Sequence, residues 1–260
     1  MSGLPYNWIE GLFILFSVCV LLILVIILSV IKRIGIGREF AYAMLKGGVQ
    51  LFAIALFLTF LFDYDLWYML IWVLLISMVL IGGYTSAKRA SDMPKAYQVT
   101  TPAILSGSAL ALIVLAVTRA MPPKPQFIVP LAGMAFGNSM TICSLTLERL
   151  MREVRLSRLT IETALSLGAT SQQALEEYGR LTVRASLIPT IDRLKTLGII
   201  FIPGAMSGLL IAGTNPILAA EYQIIVFLMI VGGGLITSLA TYYLARKNIF
   251  NNVEQLSEWV

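Results

Sequence analysis

The sequence contains no histidine, only two cysteines, and few charges: 13% of its 260 residues are Asp, Glu, Lys or Arg, against about 25% in an ordinary soluble domain. Each shortage excludes something. Without histidine there is neither a Ser-His-Asp triad nor an imidazole general base. Cys19 and Cys143 each stand inside an apolar run with no CxxC spacing. Zinc and haem sites therefore lack their usual ligands, and both thiols read as small apolar packing residues. Acids are scarce in the apolar runs and never paired there, so an intramembrane enzyme lacks its nucleophile–base pair or acid cluster. No GxxxxGKS or GxxxxGKT occurs; the nearest approach, Gly83 followed by Lys88, lacks the second glycine and the hydroxyl residue.

What is present is apolar. Hydrophobic residues make up 58% of the chain, leaving too few charged residues to cover a soluble core of this length. The net charge of +5 invites a nucleic-acid reading. The charges, however, sit in short clusters between apolar runs, the pattern of membrane-protein loops rather than of a basic binding face. The expected fold is an all-α polytopic transmembrane bundle in a cell inner membrane, one permease-like domain over residues 1–260.

Seven spans are expected, at 8–31, 41–62, 66–84, 98–118, 127–147, 198–214 and 222–244. The first, at about 1.5 Å per residue, is long enough for a hydrocarbon core of roughly 30 Å. It follows no lysine or arginine, so it reads as a retained helix rather than a cleaved signal. Placing the N-terminus outside puts sixteen Lys and Arg residues in cytoplasmic segments against Arg119 and Lys124 outside. That bias predicts N-out and C-in. External loops are then short, Asp63-Tyr64-Asp65 and the proline-rich Met121–Pro125. Trp8, Tyr64, Trp67 and Tyr68 fall at span ends, where an interfacial aromatic belt would lie.

The longest hydrophilic stretch, 148–197, has helical periodicity: Leu159, Ile161, Ala164, Leu165 and Leu167, then Ala174, Leu175, Tyr178, Leu181 and Val183. Gly168 stands where a left-handed C-cap is expected. Thr170 stands three before Gln173, as in a capping box. A cytoplasmic helical hairpin follows, with Leu165 and Leu167 as apolar knobs, and Pro189 near the return to the membrane. The same hairpin is explained equally by packing against its own bundle.

Polar groups inside the spans are candidates for a solute path. A lysine at mid-bilayer costs about 2.5–3.5 kcal/mol; Lys46 and Gln50 share a face of the second span, although Lys46 can snorkel. Asn138 and Ser139 lie halfway along the fifth span. In the sixth, Pro203 is flanked by Gly198, Gly204, Gly208 and Gly213, and a broken helix in a membrane is tolerated where it lines a cavity. Gly133–Gly137 and Gly204–Gly208 have GxxxG spacing, which predicts tight packing or a dimer seam. A metal set of Met134, Met140, Cys143 and Met206 with Glu148 is conceivable, sulfur for softer ions and carboxylate for harder ones. Methionines in so apolar a chain also serve simply as gap-fillers.

Resemblance narrows the function. Glu162 to Ala169, with Glu162 and Gly168 six apart, resembles the opening of the EAA loop of ABC importer permeases, although that pattern closes with a proline earlier than Pro189. The fuller resemblance is to the FetB/YbbM-type family of ABC permeases, associated with iron export in bacteria and aluminium tolerance in plants. It is carried by Pro130, Gly133, Met134, Gly137, Asn138, Ser139 and Met140, then by Leu165, Gly168, Ala169 and Thr170. Ala185, Ile188, Pro189 and Thr190 continue it. Pro203, Gly204, Met206, Ser207, Gly208, Ala212, Gly213, Pro216, Tyr222 and Gln223 complete it. Ala205 departs from it, standing where a second methionine is common; Lys46 and Gln50 are the match upstream.

The resemblance implies a non-enzymatic permease subunit that binds no cofactor itself. ATP and magnesium would sit on a separate ATPase subunit, and two permease copies would pair in the lipid. It implies coupling through Glu162, Leu165, Leu167, Gly168, Ala169 and Thr170. The candidates for the path, taken with the polar and broken positions inside the spans, are Lys46, Gln50, Asn138, Ser139, Pro203, Gly204, Met206, Gly208 and Gln223. The cargo the resemblance suggests is an iron-like metal ion for export. The alternatives are another small solute, such as a nucleotide sugar, or a secondary transporter. The latter usually shows inverted repeats and buried carboxylates.

Overall fold

Residues 8–63, 66–251, 254–257 and 259 are described in the computed structural model. Long runs of Leu, Ile, Val, Phe and Ala give most of the helices, three of which carry an interior proline, Pro102, Pro130 and Pro189. In order they are α1 (Trp8–Ile31), α2 (Gly37–Asp63), α3 (Trp67–Arg89), α4 (Ala96–Val117), α5 (Pro125–Leu156), α6 (Arg158–Ser166), α7 (Ser171–Lys195), α8 (Gly204–Ile211) and α9 (Pro216–Ile249). Among the described residues there is no sheet, only two isolated bridges. Tyr64 and Asp65 of the expected first external loop lie outside the described residues, as do the side chains of Trp8 and Asp63.

Among the described residues six helices, α1, α2, α3, α4, α5 and α9, are long and apolar enough to cross a membrane. The expected sixth span, 198–214, is not among them. Gly198, at φ +79°, breaks the chain after α7. Pro203 then acts as the N-cap of α8, whose eight residues extend only about 12 Å. A Schellman motif ends α8 at Gly213, with Gly213 N–H on Leu210 O at 3.0 Å and Thr214 N–H on Leu209 O at 2.9 Å.

The contacts divide the chain into two units, 1–67 and 68–260. In the first, α1 and α2 form a hairpin. Its turn uses Gly35 at φ +79°, and Ser29 Oγ accepts the Gly37 N–H at 2.9 Å, serving an otherwise orphan donor at the start of α2. Both helices keep wide apolar faces, Phe13, Phe16, Leu45 and Leu56 among them.

In the second unit α9 is the central helix, packed on α4, α5, α7 and α8. Close approach comes from glycines. A Cβ on Gly107 would overlap Thr237 Oγ1 and the Gly233 carbonyl, and one on Gly83 would overlap Thr101. Hydroxyls join the helices around these contacts. Thr237 donates to Ser139 at 3.1 Å, Ser144 to Ser86 at 3.0 Å, and Thr100 to the Gly83 carbonyl at 2.7 Å. Ser238 of α9 lies 3.0 Å from Thr146 of α5 and 2.9 Å from Ser186 of α7.

The hydrophilic stretch folds as a helix, a tight turn and a helix, but its second helix is longer than its periodic run. Pro189 lies inside α7, which continues to Lys195. The buried positions Leu175, Gly179, Thr182, Ser186 and Thr190 form one stripe. That stripe runs along α5 and α9, with Gly179 against Tyr242 and Ser186 against Ser238.

Candidate functional site

A cavity of about 350 Å³ opens where the C-terminal part of α7 meets α5 and α9, lined by Gly133, Met134, Gly137, Asn138, Thr141, Thr190, Arg193, Phe227 and Ile230. Asn138 Nδ2 donates to the Ile230 carbonyl at 3.1 Å and ties α5 to α9 at its floor. The Thr141 hydroxyl donates to the Gly137 carbonyl at 3.0 Å. Thr190 is only 8% exposed. Among the described residues its hydroxyl has no partner, and Arg193 has no ion-pair partner. Asp192, the acid next to Arg193, faces Lys195 at 3.9 Å instead. The lining thus carries one cation, hydroxyls, an amide and a thioether, and no acid.

Of the expected path residues, Asn138 is in this cavity, joined by Met134 from the expected metal set. Ser139, one residue on, points the other way and is buried against Thr237. Met206 and Gln223 come together elsewhere: the buried Gln223 accepts the Met206 N–H through Oε1 at 3.1 Å, fixing the start of α8 to α9. Pro203 caps α8, and a Cβ on Gly204 or Gly208 would meet nothing. The same holds for Gly133 and Gly137, so the tight packing expected of both GxxxG pairs is not made among the described residues. Lys46 and Gln50 are exposed residues of the first unit.

The five expected metal ligands are scattered. Cys143 is fully buried and Met140 packs on the same apolar core. Met134 lines the cavity above, and Met206 sits on α8. Glu148 belongs to a separate pocket with Arg89, Asp92, Arg152 and Arg155. Among the described residues no group of three or more acidic, cysteine or histidine side chains is placed to hold a metal ion.

The α6–α7 turn has the expected caps. Gly168, at φ +91°, gives its N–H to Leu165 O, and Ala169 gives its N–H to Ala164 O, each at 3.0 Å. This is a full Schellman motif. Thr170 and Gln173 close the capping box. Glu162 pairs with Arg158 at 2.8 Å. The two knobs diverge: Leu165 packs on the core, while Leu167 is 84% exposed. Leu156 and Leu159 are also exposed, which spacing alone does not reveal. Thr190 and Arg193 were likewise missed as site residues. Arg193 stands only among the cytoplasmic charges and Thr190 only within the resemblance; that match and the helical spacing that continues through Pro189 are the available signals.

A multi-pass helical membrane protein is therefore the class that the spans define. The chain belongs to the uncharacterised protein family UPF0014, whose model matches residues 12–250. It is similar to the UPF0014 membrane protein STAR2 of Oryza sativa, 36% identical over 90% of this chain and 81% of the relative. It is 31% identical to the Protein ALUMINUM SENSITIVE 3 of Arabidopsis thaliana, over 98% and 94%. The "Probable iron export permease protein FetB" of Escherichia coli is 30% identical over 91% of each chain. No solved structure matches.

Proposed function

We propose that this chain is the membrane-spanning permease subunit of an ABC transporter, paired with a second copy and energised by a separate ATPase subunit on the cytoplasmic side. The observation that carries this reading is the α6–α7 turn. It is a rigidly capped corner that exposes Leu167, with Leu159 and Leu156 exposed on the approach to it, in a chain with a permease among its relatives. Exposed apolar residues on a capped turn suit insertion into a groove of a partner, since little ordering entropy is lost on docking. With the N-terminus outside and the C-terminus inside, the turn faces the cytoplasm. The open face of Gly204–Gly208 is then available for a seam between copies, whereas Gly133 and Gly137 line the cavity.

Export as the direction is supported by the name of the same relative, which specifies iron; an iron-like metal ion is the first candidate, and another small solute the second. The test is ATP turnover by a co-expressed candidate ATPase, with and without this chain in lipid. Leu167→Glu and Gly168→Trp are compared with wild type. Association with chain-dependent turnover, lost in both variants, is the expected result. No association with any ATPase would overturn the reading in favour of a secondary transporter.

A further inference from the structure

The depth of the α5–α7–α9 cavity gives it a chemistry that the permease reading alone does not specify. α7 runs antiparallel to α9. Its start lies by the C-terminal part of α9, where the Tyr242 hydroxyl donates to Leu175 O at 3.3 Å. Its middle is at Ser238, and its end is beside Phe227 and Ile230. On α5 the same end lies beside Gly133 to Asn138. Those residues are some six to eleven positions inside the expected fifth span, roughly 9–17 Å from its outer edge. If α5 and α9 cross the bilayer, the last turns of α7 lie within it. α7 is then the sixth crossing, and 198–214 is the connection that returns the chain to α9.

A charged helix at that depth is tolerated only where its polar side faces protein or a water-filled path. Among the described residues the guanidinium of Arg193, an exposed residue, and the hydroxyl of the buried Thr190 have no partner there, and Asn138 keeps its side-chain oxygen free beside them. Guanidinium donors and a hydroxyl, with no carboxylate in the lining, repel a bare metal cation. They match the planar or tetrahedral oxygens of an anion.

We propose that the cavity between α5, α7 and α9 binds an oxyanion, a carboxylate or phosphate group of the transported solute, with Arg193 as its cation and Thr190 as its hydroxyl donor. This rests on the permease reading for the word "transported", though not for the binding itself. An iron-like cargo would enter this site as a complex whose ligands are carboxylates. A free metal ion would not.

Binding is measured on the purified chain in lipid nanodiscs by calorimetry, with citrate, ferric citrate, inorganic phosphate and free ferrous ion as probes. Citrate or phosphate is expected to bind wild type, with an affinity that falls as salt is raised. Arg193→Gln should weaken it at least tenfold, Thr190→Val less, and Arg193→Lys should restore part of it. Melting temperatures without ligand identify any variant that has merely lost its fold; Arg193→Lys then carries the comparison against Thr190→Val. Preference for phosphate points to a phosphorylated solute, and preference for citrate with or without iron points to a carboxylate or its chelate. Equal anion binding in wild type and Arg193→Gln would overturn the proposal, as would ferrous binding with no anion binding. Because no ATPase is present, the result is independent of the coupling test: either reading can fail while the other stands.

Discussion

The hairpin of α1 and α2 and the bundle built on α9 use the same apolar alphabet in different ways. In the hairpin, a Cβ on Gly47 or Gly48 would meet nothing, and the polar residues Lys46 and Gln50 are exposed. In the bundle, glycines are points of contact and hydroxyls face one another across helices. Lipid is as apolar as leucine, so apolar content cannot drive one helix onto another; close backbone approach and interhelical hydrogen bonds do. The comparison teaches that the bundle's order lies in its small and polar residues, which hydropathy ignores.

The sharpest way to break that contrast is to add side-chain volume to each half. Gly107→Leu drives a side chain into Thr237 and the Gly233 backbone. It should destabilise the bundle by on the order of 3 kcal/mol, at the upper end for overpacking. Gly47→Leu, with open space around it, should change unfolding in detergent hardly at all. Equal melting temperatures for the two variants would mean that α4 and α9 do not pack through this glycine.

Gly168 tests conformation rather than volume. A Cβ there meets no neighbour, yet φ is +91°. Gly168→Ala should therefore cost about 1–2 kcal/mol through the left-handed backbone alone. Gly133→Ala, in an equally open but helical position, should be neutral or stabilising by up to about 1 kcal/mol. Denaturant unfolding of both proteins separates backbone strain from packing. Smaller still is Ser186→Ala, which removes the α7 member of the contact with Ser238. Interhelical hydrogen bonds in membranes average about 0.6 kcal/mol, and the loss should show as faster amide exchange in α7 while α1 and α2 are unchanged.

These glycines and hydroxyls also mark where the sequence was legible. The five long apolar helices before residue 157 match their expected spans to within a residue or contain them, because twenty apolar residues in a row have few other readings. The caps at Gly168 and Thr170 were legible because their chemistry is local: a left-handed position and a reciprocal side-chain bond. What failed was the sixth span. Residues 198–214 are apolar enough to suggest a crossing, but Gly198, Pro203 and Gly213 break them into a turn and a short helix. α7 is expected as the second helix of a cytoplasmic hairpin, and its stripe of Leu175, Gly179, Thr182, Ser186 and Thr190 is small and polar enough to pack on α5 and α9. Tertiary contact decided that case, and the cavity with Arg193 and Thr190 went unseen for the same reason.

The weakest expected effect is electrostatic, at the charged end of the bundle. Arg155 Nη2 donates to Asp92 Oδ2 at 2.7 Å, joining the α3–α4 turn to α5. The guanidinium, by hydrogen bond and then by charge, holds the Asp92 carboxyl below its ordinary value of 3.8. A depressed carboxylate contributes stability above its unfolded value, and that contribution disappears as pH falls through the still lower folded value. Wild type and Asp92→Asn should therefore differ slightly at neutral pH, and the difference should begin to shrink as pH falls past about 4. Both side chains are largely exposed, so salt should shrink the difference at neutral pH as well. Melting curves from pH 7 to 3 at two ionic strengths provide the check. A difference that does not shrink at all between pH 7 and pH 3 would show that Asp92 acts through the geometry of the turn, making this junction a matter of packing like the rest of the bundle.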